Sequence, residues 1–396
     1  MTVATHTSQR RDRAGTWAAE PGFGVYVHIP FCLHRCHYCD FNTYDGQDEI
    51  HTAYVEALIT DIETAAPGWD FPAATSVFFG GGTPTLLAPA ALARILRAVR
   101  NRVDISPIAE VTIEVNPETV DEGAFADLLE SGFTRVSVGV QSLAPHVLRG
   151  LGRRHSAEQA LAALDAARRA GVDDLNADLI YGSPWEREED WSISLAGIVD
   201  SGPDHVSCYA LTVEERTPLA TLVRTGRIAD VDPDVQAARH VLAEETLGNA
   251  GYARYEISNW ALPGCASRHN VLYWSAGDYL GFGAGAHGHI GGRRYWNVRL
   301  PRDFVSRATT SGGTEDGFEV LDPSDRAGEA LMLGLRLVSG VEVDAFAARF
   351  GISCLEERAT AIESLLAAGL LVRTDGYLRL APHATLLAND VCSRLL

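Results

Sequence analysis

The chain reads as an α/β protein: a partial (β/α)6 barrel of the TIM type with a smaller, helix-rich, winged-helix-like C-terminal domain. Three observations predict it. Between Gly24 and Ser258, short β-branched or aromatic runs alternate with longer amphipathic stretches, the pattern of a parallel sheet covered by helices. The unusual polar residues follow the short runs, on the rim where barrel sites are built. From about Leu300 the pattern changes to helices and then a hairpin.

The strands predicted are 25–29, 76–79, 110–115, 135–140, 175–180, 205–211 and 254–258. The helices between them are 48–66, 88–100, 121–131, 157–170, 188–200 and 233–249. Six consecutive βα units suggest a barrel or part of one. Beyond them come helices over 323–337, 343–350 and 355–368, then a hairpin over 370–380 with Asp375-Gly376 as its turn. The chain thus divides into a flexible N-terminal arm (1–20), the barrel (21–260), a linking stretch (261–300) and the C-terminal domain (301–396).

At 396 residues the chain exceeds one ordinary small domain. Its 33 Lys+Arg against 52 Asp+Glu give a net charge of −19, the reverse of the clustered cations that phosphates require. Residues 301–396 carry nine cations against fourteen anions, a net of −5. The winged-helix-like module is therefore expected to be a lid or docking unit and not a DNA reader. No apolar run reaches the ~18 residues that span a bilayer. The polar N-terminus, with Arg10, Arg11 and Arg13, lacks the apolar centre of a secretory signal. The expectation is a cytoplasmic protein, not integral to a membrane and without a nucleic-acid partner.

Seven cysteines, three of them clustered, argue against a disulfide framework. Cys32, Cys36 and Cys39 stand as C-x-x-x-C-x-x-C directly after the first predicted strand. Thiolates are soft ligands suited to iron–sulfur clusters or zinc. Three close thiols can hold three corners of a cubane and leave its fourth iron without a protein ligand, unlike the four-cysteine arrangement. An open iron can chelate the amino and carboxylate groups of a methionine moiety. Three-thiolate zinc sites usually add a nitrogen ligand, and His34 and His37 within the loop keep that reading open. Cys208, Cys265, Cys354 and Cys392 are scattered and read as small packing residues.

The run Gly80-Gly81-Gly82-Thr83-Pro84-Thr85 follows the second strand. Bare backbone lets a ligand come close, although a tight βα turn uses the same residues. Glu114, Gln141 and Asp178 fall at the ends of strands three, four and five. Asp178 lies in an apolar strand, and a buried carboxylate needs a partner. Arg153 offers a planar fork to a carboxylate, or else is a solvated loop arginine. Gly281-Phe282-Gly283-Ala284-Gly285 lacks the strand, helix and distant acid of a dinucleotide fingerprint and reads as a close-packed turn.

The thiol spacing after a first strand, with Tyr38 before the last cysteine, resembles the radical-SAM superfamily. Val27-His28-Ile29-Pro30-Phe31-Cys32 and the Gly80–Thr85 run are similar to its oxygen-independent coproporphyrinogen III oxidase group, over roughly residue 24 to the C-terminus. The resemblance implies a 4Fe–4S cluster on Cys32, Cys36 and Cys39, an electron donor for it, and S-adenosylmethionine (SAM) beside it. The residues that match the family's SAM contacts are Tyr26, Tyr38, Gly81, Gly82, Thr83, Glu114, Gln141, Arg153 and Asp178.

Two functions share this scaffold. The oxidase decarboxylates two propionates of a porphyrinogen by radical chemistry; HemW-type chaperones bind haem and pass it to acceptor proteins. The oxidases resemble C-x-x-x-C-x-x-C-x-C, and this chain has Phe41 in the fourth position. They also carry a longer arm before the first strand. Arg268-His269-Asn270-Val271-Leu272-Tyr273-Trp274 matches the H-N-x-x-Y-W pattern of the HemW type. Histidine is a common axial haem ligand, and the two aromatic rings offer flat apolar surface. His269 is therefore expected to bind haem, with His287 and His289 as rivals and a structural histidine as the alternative. The expected function is that of a haem chaperone with haem-acceptor partners; no catalytic residue is assigned, and the decarboxylating oxidase is the other reading. Tyr255–Trp260 also resembles the family, without a role that follows from it.

Overall fold

The computed structural model describes residues 15–65, 70–310 and 313–396. Twelve strands form its main sheet: β1 (Phe23–Ile29), β2 (Ala74–Gly81), β3 (Ile105–Val115), β4 (Arg135–Gln141), β5 (Leu175–Tyr181), β6 (His205–Ala210), β7 (Ala253–Glu256), β8 (Asn259–Ala261), β9 (Asp278–Phe282), β10 (His287–Ile290), β11 (Arg293–Asn297) and β12 (Glu315–Val320). Their order in space is β12-β11-β10-β9-β1-β2-β3-β4-β5-β6-β8-β7. β9 and β1 to β6 run parallel. The flanks are antiparallel.

Six βα units stand where the alternation predicted them. Two departures concern the ends. The expected seventh strand is β7, at the far edge and antiparallel to β8. Only Ile257 and Ser258 separate the two, whereas a parallel return needs a crossover of a dozen residues or more. The second departure is the stretch 261–300. Rather than link two units, it places β9 beside β1 and adds β10 and β11 to the sheet. Its glycines turn the chain between β9 and β10: a Cβ on Gly281 would lie 1.9 Å from the His287 carbonyl oxygen.

Alternation decides what each face of the sheet carries. In β1, Phe23, Val25, Val27 and Ile29 share a core with Leu58 and Ile62 of α1 (His51–Thr64) and with Ile95 and Val99 of α2 (Pro89–Arg102). Tyr26, between them, lines a chamber on the opposite, inner face with Thr112, Ser137 and Asp178.

A second core belongs to the C-terminal unit: α4 (Pro323–Gly334), α5 (Val343–Phe350), α6 (Ala359–Ala367) and a small sheet ordered β13 (Val341–Glu342), β15 (Tyr377–Leu380), β14 (Leu371–Thr374). The helix labelled α3 (Arg268–Trp274) lies before them in the chain. Asp375 (φ 53°) and Gly376 (φ 82°) form the two-residue turn of the β14–β15 hairpin, as the Asp-Gly pair predicts. The predicted helix 355–368 is broken, into Ser353–Glu356 and α6.

Residues 1–14 of the expected N-terminal arm lie outside the described residues. The next few are not loose. Trp17 is buried in the second core, its ring 6.2 Å from that of Phe346, and its amide donates to Ser339 Oγ at 3.1 Å. Among the described residues no helix is long and apolar enough to cross a membrane.

Candidate functional site

Cys32 ends a two-residue strand, Phe31–Cys32, that pairs in parallel with Tyr44–Asp45 and closes the base of the thiol loop. The glycine run laces that loop to the rim. Gly82 N donates to Ile29 O at 2.8 Å and Thr83 N to Phe31 O at 2.7 Å. A Cβ at Gly82 would lie 2.4 Å from Phe31 O, and one at Gly81 (φ 111°) 2.3 Å from the His28 ring. Only glycine allows this approach.

Cys32, Cys36 and Cys39 are half-buried and line one cavity of about 380 Å³, within the size range of small-molecule sites. Burial pushes the Cys32 thiol up to about 12, with Cys39 adding to it, and burial raises Cys36 as well. Thiols so placed ionise when a metal takes the proton's place. His34 and His37, the nitrogen ligands a zinc site would want, have other partners: His37 Nδ1 is 3.0 Å from Gly150 O, and His34 Nδ1 is 3.8 Å from Asp45. Among the described residues no three His, Cys, Asp or Glu side chains converge as ligands of a single ion. A cubane asks for something different, one iron for each thiolate.

Arg153 forms the cationic wall. Its Nη2 donates to Tyr38 OH at 3.0 Å and its Nη1 to Asn116 Oδ1 at 2.9 Å. Its Nε is buried and has no partner among the described residues. A solvated loop arginine would not be held this way, and a buried unpaired donor is costly unless a ligand completes it. Thr83, 1% exposed, accepts from Asn116 Nδ2 at 2.8 Å. Asn116 therefore couples the glycine run to the arginine.

Glu114 Oε2 accepts from Gly81 N at 3.0 Å, and its Oε1 has no protein partner among the described residues. Burial first, then the Asp178 carboxylate, push its carboxyl up to about 7. Asp178 has both oxygens engaged, by Ser137 Oγ at 2.7 Å and Asn176 Nδ2 at 2.8 Å. Gln141 lines the cavity at the end of β4 with φ 67°, in the left-handed region. Such backbone clusters at ligand sites. Tyr26 stands apart from the thiol cavity. Its hydroxyl is 2.8 Å from His28 Nδ1, and it lines the deeper chamber, which meets the thiol cavity at Glu114, Ser137 and Asp178.

His269 has both ring nitrogens engaged within the protein. It is 2% exposed, with Nδ1 2.9 Å from Ser76 Oγ and Nε2 2.9 Å from Tyr273 OH. An iron would have to displace one of them. The helix that carries it, α3, is docked by the Glu110 carboxylate, which accepts from Arg268 N and His269 N at 2.9 and 3.2 Å. A carboxylate at a helix N-terminus satisfies amides that have no intrahelical partner. Trp274 packs against the C-terminal core beneath the Arg336 guanidinium. The motif thus sits at the N-terminal ends of the barrel strands, with His269, Asn270 and Tyr273 facing the inner chamber.

Residues 26–195 match the radical SAM superfamily, and residues 321–387 match the HemN C-terminal domain. The heme chaperone HemW of Mycobacterium tuberculosis is 43% identical over 384 residues, covering 96% of each chain. The chain belongs to the HemW family of radical SAM proteins. The Escherichia coli heme chaperone HemW is 33% identical over 379 residues, covering 94% of this chain and 97% of its own. A zebrafish (Danio rerio) relative, the mitochondrial radical S-adenosyl methionine domain-containing protein 1, is 32% identical over 383 residues, covering 94% and 86%. The solved structure of the Escherichia coli coproporphyrinogen III oxidase (HemN) shares the fold, with a TM-score of 0.81 over 98% of this chain and 92% of that one, at 22% identity. Membership implies a 4Fe–4S cluster and SAM, and the donor set fits them: three thiols, a buried cation with a free donor, and a carboxylate with a free oxygen line one cavity. In this HemW-family chain Phe41 is 65% exposed at the mouth of that cavity. Sequence reasoning missed Asn116, Ser137 and Asn176. Each sits two residues from a residue it singled out, or on the neighbouring strand at the same height, so strand period two would have found them.

Proposed function

We propose that this chain is a haem chaperone of the HemW type. It binds haem as cargo, carries a 4Fe–4S cluster on Cys32, Cys36 and Cys39 with SAM beside it, and passes haem to acceptor proteins. The observation that carries this is the 43% identity to the Mycobacterium tuberculosis heme chaperone HemW over nearly the whole of both chains. Phe41 supports it, since the coproporphyrinogen oxidases resemble one another in a cysteine there.

Bound in the thiol loop, the cluster supplies one-electron chemistry towards SAM, from an electron donor outside this chain. The remaining work falls to the protein. Arg153 Nε is a free donor for the SAM carboxylate. The Gly81–Thr83 run lets the ligand lie against backbone. Glu114 takes an amine or ribose hydroxyl through its open oxygen, and Asp178, Gln141, Tyr26 and Tyr38 complete the surroundings.

Anaerobic reconstitution followed by metal analysis, haem titration and a coproporphyrinogen III turnover assay tests the reading. The expected result is about four irons per chain, a Soret band on adding haem, and no turnover. Turnover with SAM and a reductant would establish the oxidase instead. Zinc at about one per chain with no iron would remove the cluster.

A further inference from the structure

Tyr273 of α3 lines two separate spaces. One is the inner chamber of about 160 Å³, which it shares with His269. The other is a hollow of about 230 Å³ between β9 and α4, walled by Ala276, Gly277, Tyr279, Ala330 and Leu333. The tyrosine is the partition. Its hydroxyl stands 2.9 Å from His269 Nε2, and its ring meets Tyr279 edge to face, with centroids 4.7 Å apart. Turning that one side chain aside joins the two spaces and frees the imidazole nitrogen. Burial lowers the His269 pKa to about 4, so the ring is neutral, the form that binds a metal.

Three basic side chains border the hollow, Arg294, His289 and Arg326. Two are committed. Arg294 donates to Glu319 and Glu329, both at 2.8 Å, and His289 Nδ1 lies 3.3 Å from Asp278. Arg326, from α4, is half-buried, and its guanidinium has no hydrogen bond or ion pair among the described residues. Its carbon lies 5.9 Å from the centroid of the Phe350 ring. Asp278 feels its charge but is already engaged by His289 and the Gly291 amide. Arg349 has its own task, holding the Ser275 and Ala276 carbonyls just after α3. A partly desolvated guanidinium without an acceptor is costly, and a carboxylate would complete it in bidentate fashion. An apolar hollow thus has an unpaired guanidinium on one side and an imidazole behind a single tyrosine on another. Those are the complements of a propionate, a macrocycle and an iron.

We propose that the C-terminal unit helps to hold haem: the macrocycle enters this hollow as Tyr273 turns aside, His269 reaches the iron, and Arg326 of α4 takes a propionate. The inference rests on the haem-chaperone reading and gives the cargo a second anchor, in a different unit of the chain from its ligand.

Titrating the anaerobically reconstituted full chain with haem and with haem dimethyl ester, whose propionates are blocked, separates anchor from ligand. The parent should bind the ester more weakly than haem. Arg326→Gln should bind haem about tenfold more weakly than the parent, with the Soret maximum and the cluster iron unchanged, and should bind the ester as the parent does. An Arg326→Gln variant that matches the parent on haem, or that loses as much affinity for the ester as for haem, overturns the anchor while leaving the chaperone reading standing. A parent chain that binds no haem removes the reading beneath it.

Discussion

Glu114 stands between two pulls: the Gly81 amide draws its carboxyl towards ionisation, while burial and Asp178 push it up to about 7. A ligand amine or hydroxyl is held more strongly by the ionised form. SAM affinity of the parent should therefore rise with pH through the region around 7, and Glu114→Gln should flatten that rise. Isothermal calorimetry at several pH values would show it. Alanine at Glu114 or Asp178 should leave the fold and cluster intact. It should remove a charged hydrogen bond worth about 1.5–3 kcal/mol, roughly ten- to a hundredfold in affinity. The cysteines separate as cleanly. Cys36 lines the cavity, whereas Cys354 is buried in the C-terminal core with its thiol on Phe350 O at 3.0 Å. Cys36→Ala should abolish the cluster, measured as iron per chain and visible absorption, and Cys354→Ala should not. At this scale residue type carried most of the information, because few side chains can perform soft ligation or accept a cation. It could not say which neighbour holds a given nitrogen. Ser76, the Nδ1 partner of His269, is 193 residues away in sequence.

At the scale of elements, periodicity decided what was legible. The helices predicted inside the barrel are long, and their apolar faces repeat over several turns. Among those that escaped, Pro145–Leu151, Pro218–Arg224 and Pro301–Ala308 span seven or eight residues and open on proline. About two turns are too few for an apolar face to repeat visibly. β9 and β10 escaped for a related reason: they have five and four residues, with glycines among them. The rim glycine run is the element on which the site turns. A side chain at Gly81 meets both a left-handed backbone and the His28 ring. Gly81→Ala should cost about 1–3 kcal/mol in overpacking, plus the strain of positive φ. Because Gly82 and Thr83 fasten the thiol loop, iron retention should fall with stability. Denaturant midpoints and iron content measured on one preparation would test that coupling.

Across the whole molecule, the two cores meet where barrel and C-terminal unit share residues. Tyr255, Ala261 and Ala266, from the far edge of the main sheet and the segment after it, belong to the same apolar cluster as α4, α5 and α6. Tyr255 OH also reaches into the barrel, 2.9 Å from His205 Nε2, a placement that gives the Tyr255–Trp260 run a structural role. Trp17 joins this cluster from the N-terminal side. Gly334 makes room for it, since a Cβ there would lie 3.1 Å from its ring, and Ala18 N donates to Ser275 Oγ at 3.1 Å just after α3. A segment whose polar composition read as a loose arm thus closes the seam between the two units through one aromatic residue. Trp17→Ala should cost about 3–5 kcal/mol, the range for emptying a buried tryptophan site. Trp17→Phe should recover much of that, because volume and apolar contact matter here more than the indole N–H, which is buried without a partner among the described residues. The loss should show first in the C-terminal unit, as an early denaturant transition or as fast amide exchange across α4 and α5. Removal of residues 1–20 should reproduce the alanine variant. A truncated chain that unfolds at the parent's denaturant concentration would mean that Trp17 fills its recess without supporting it.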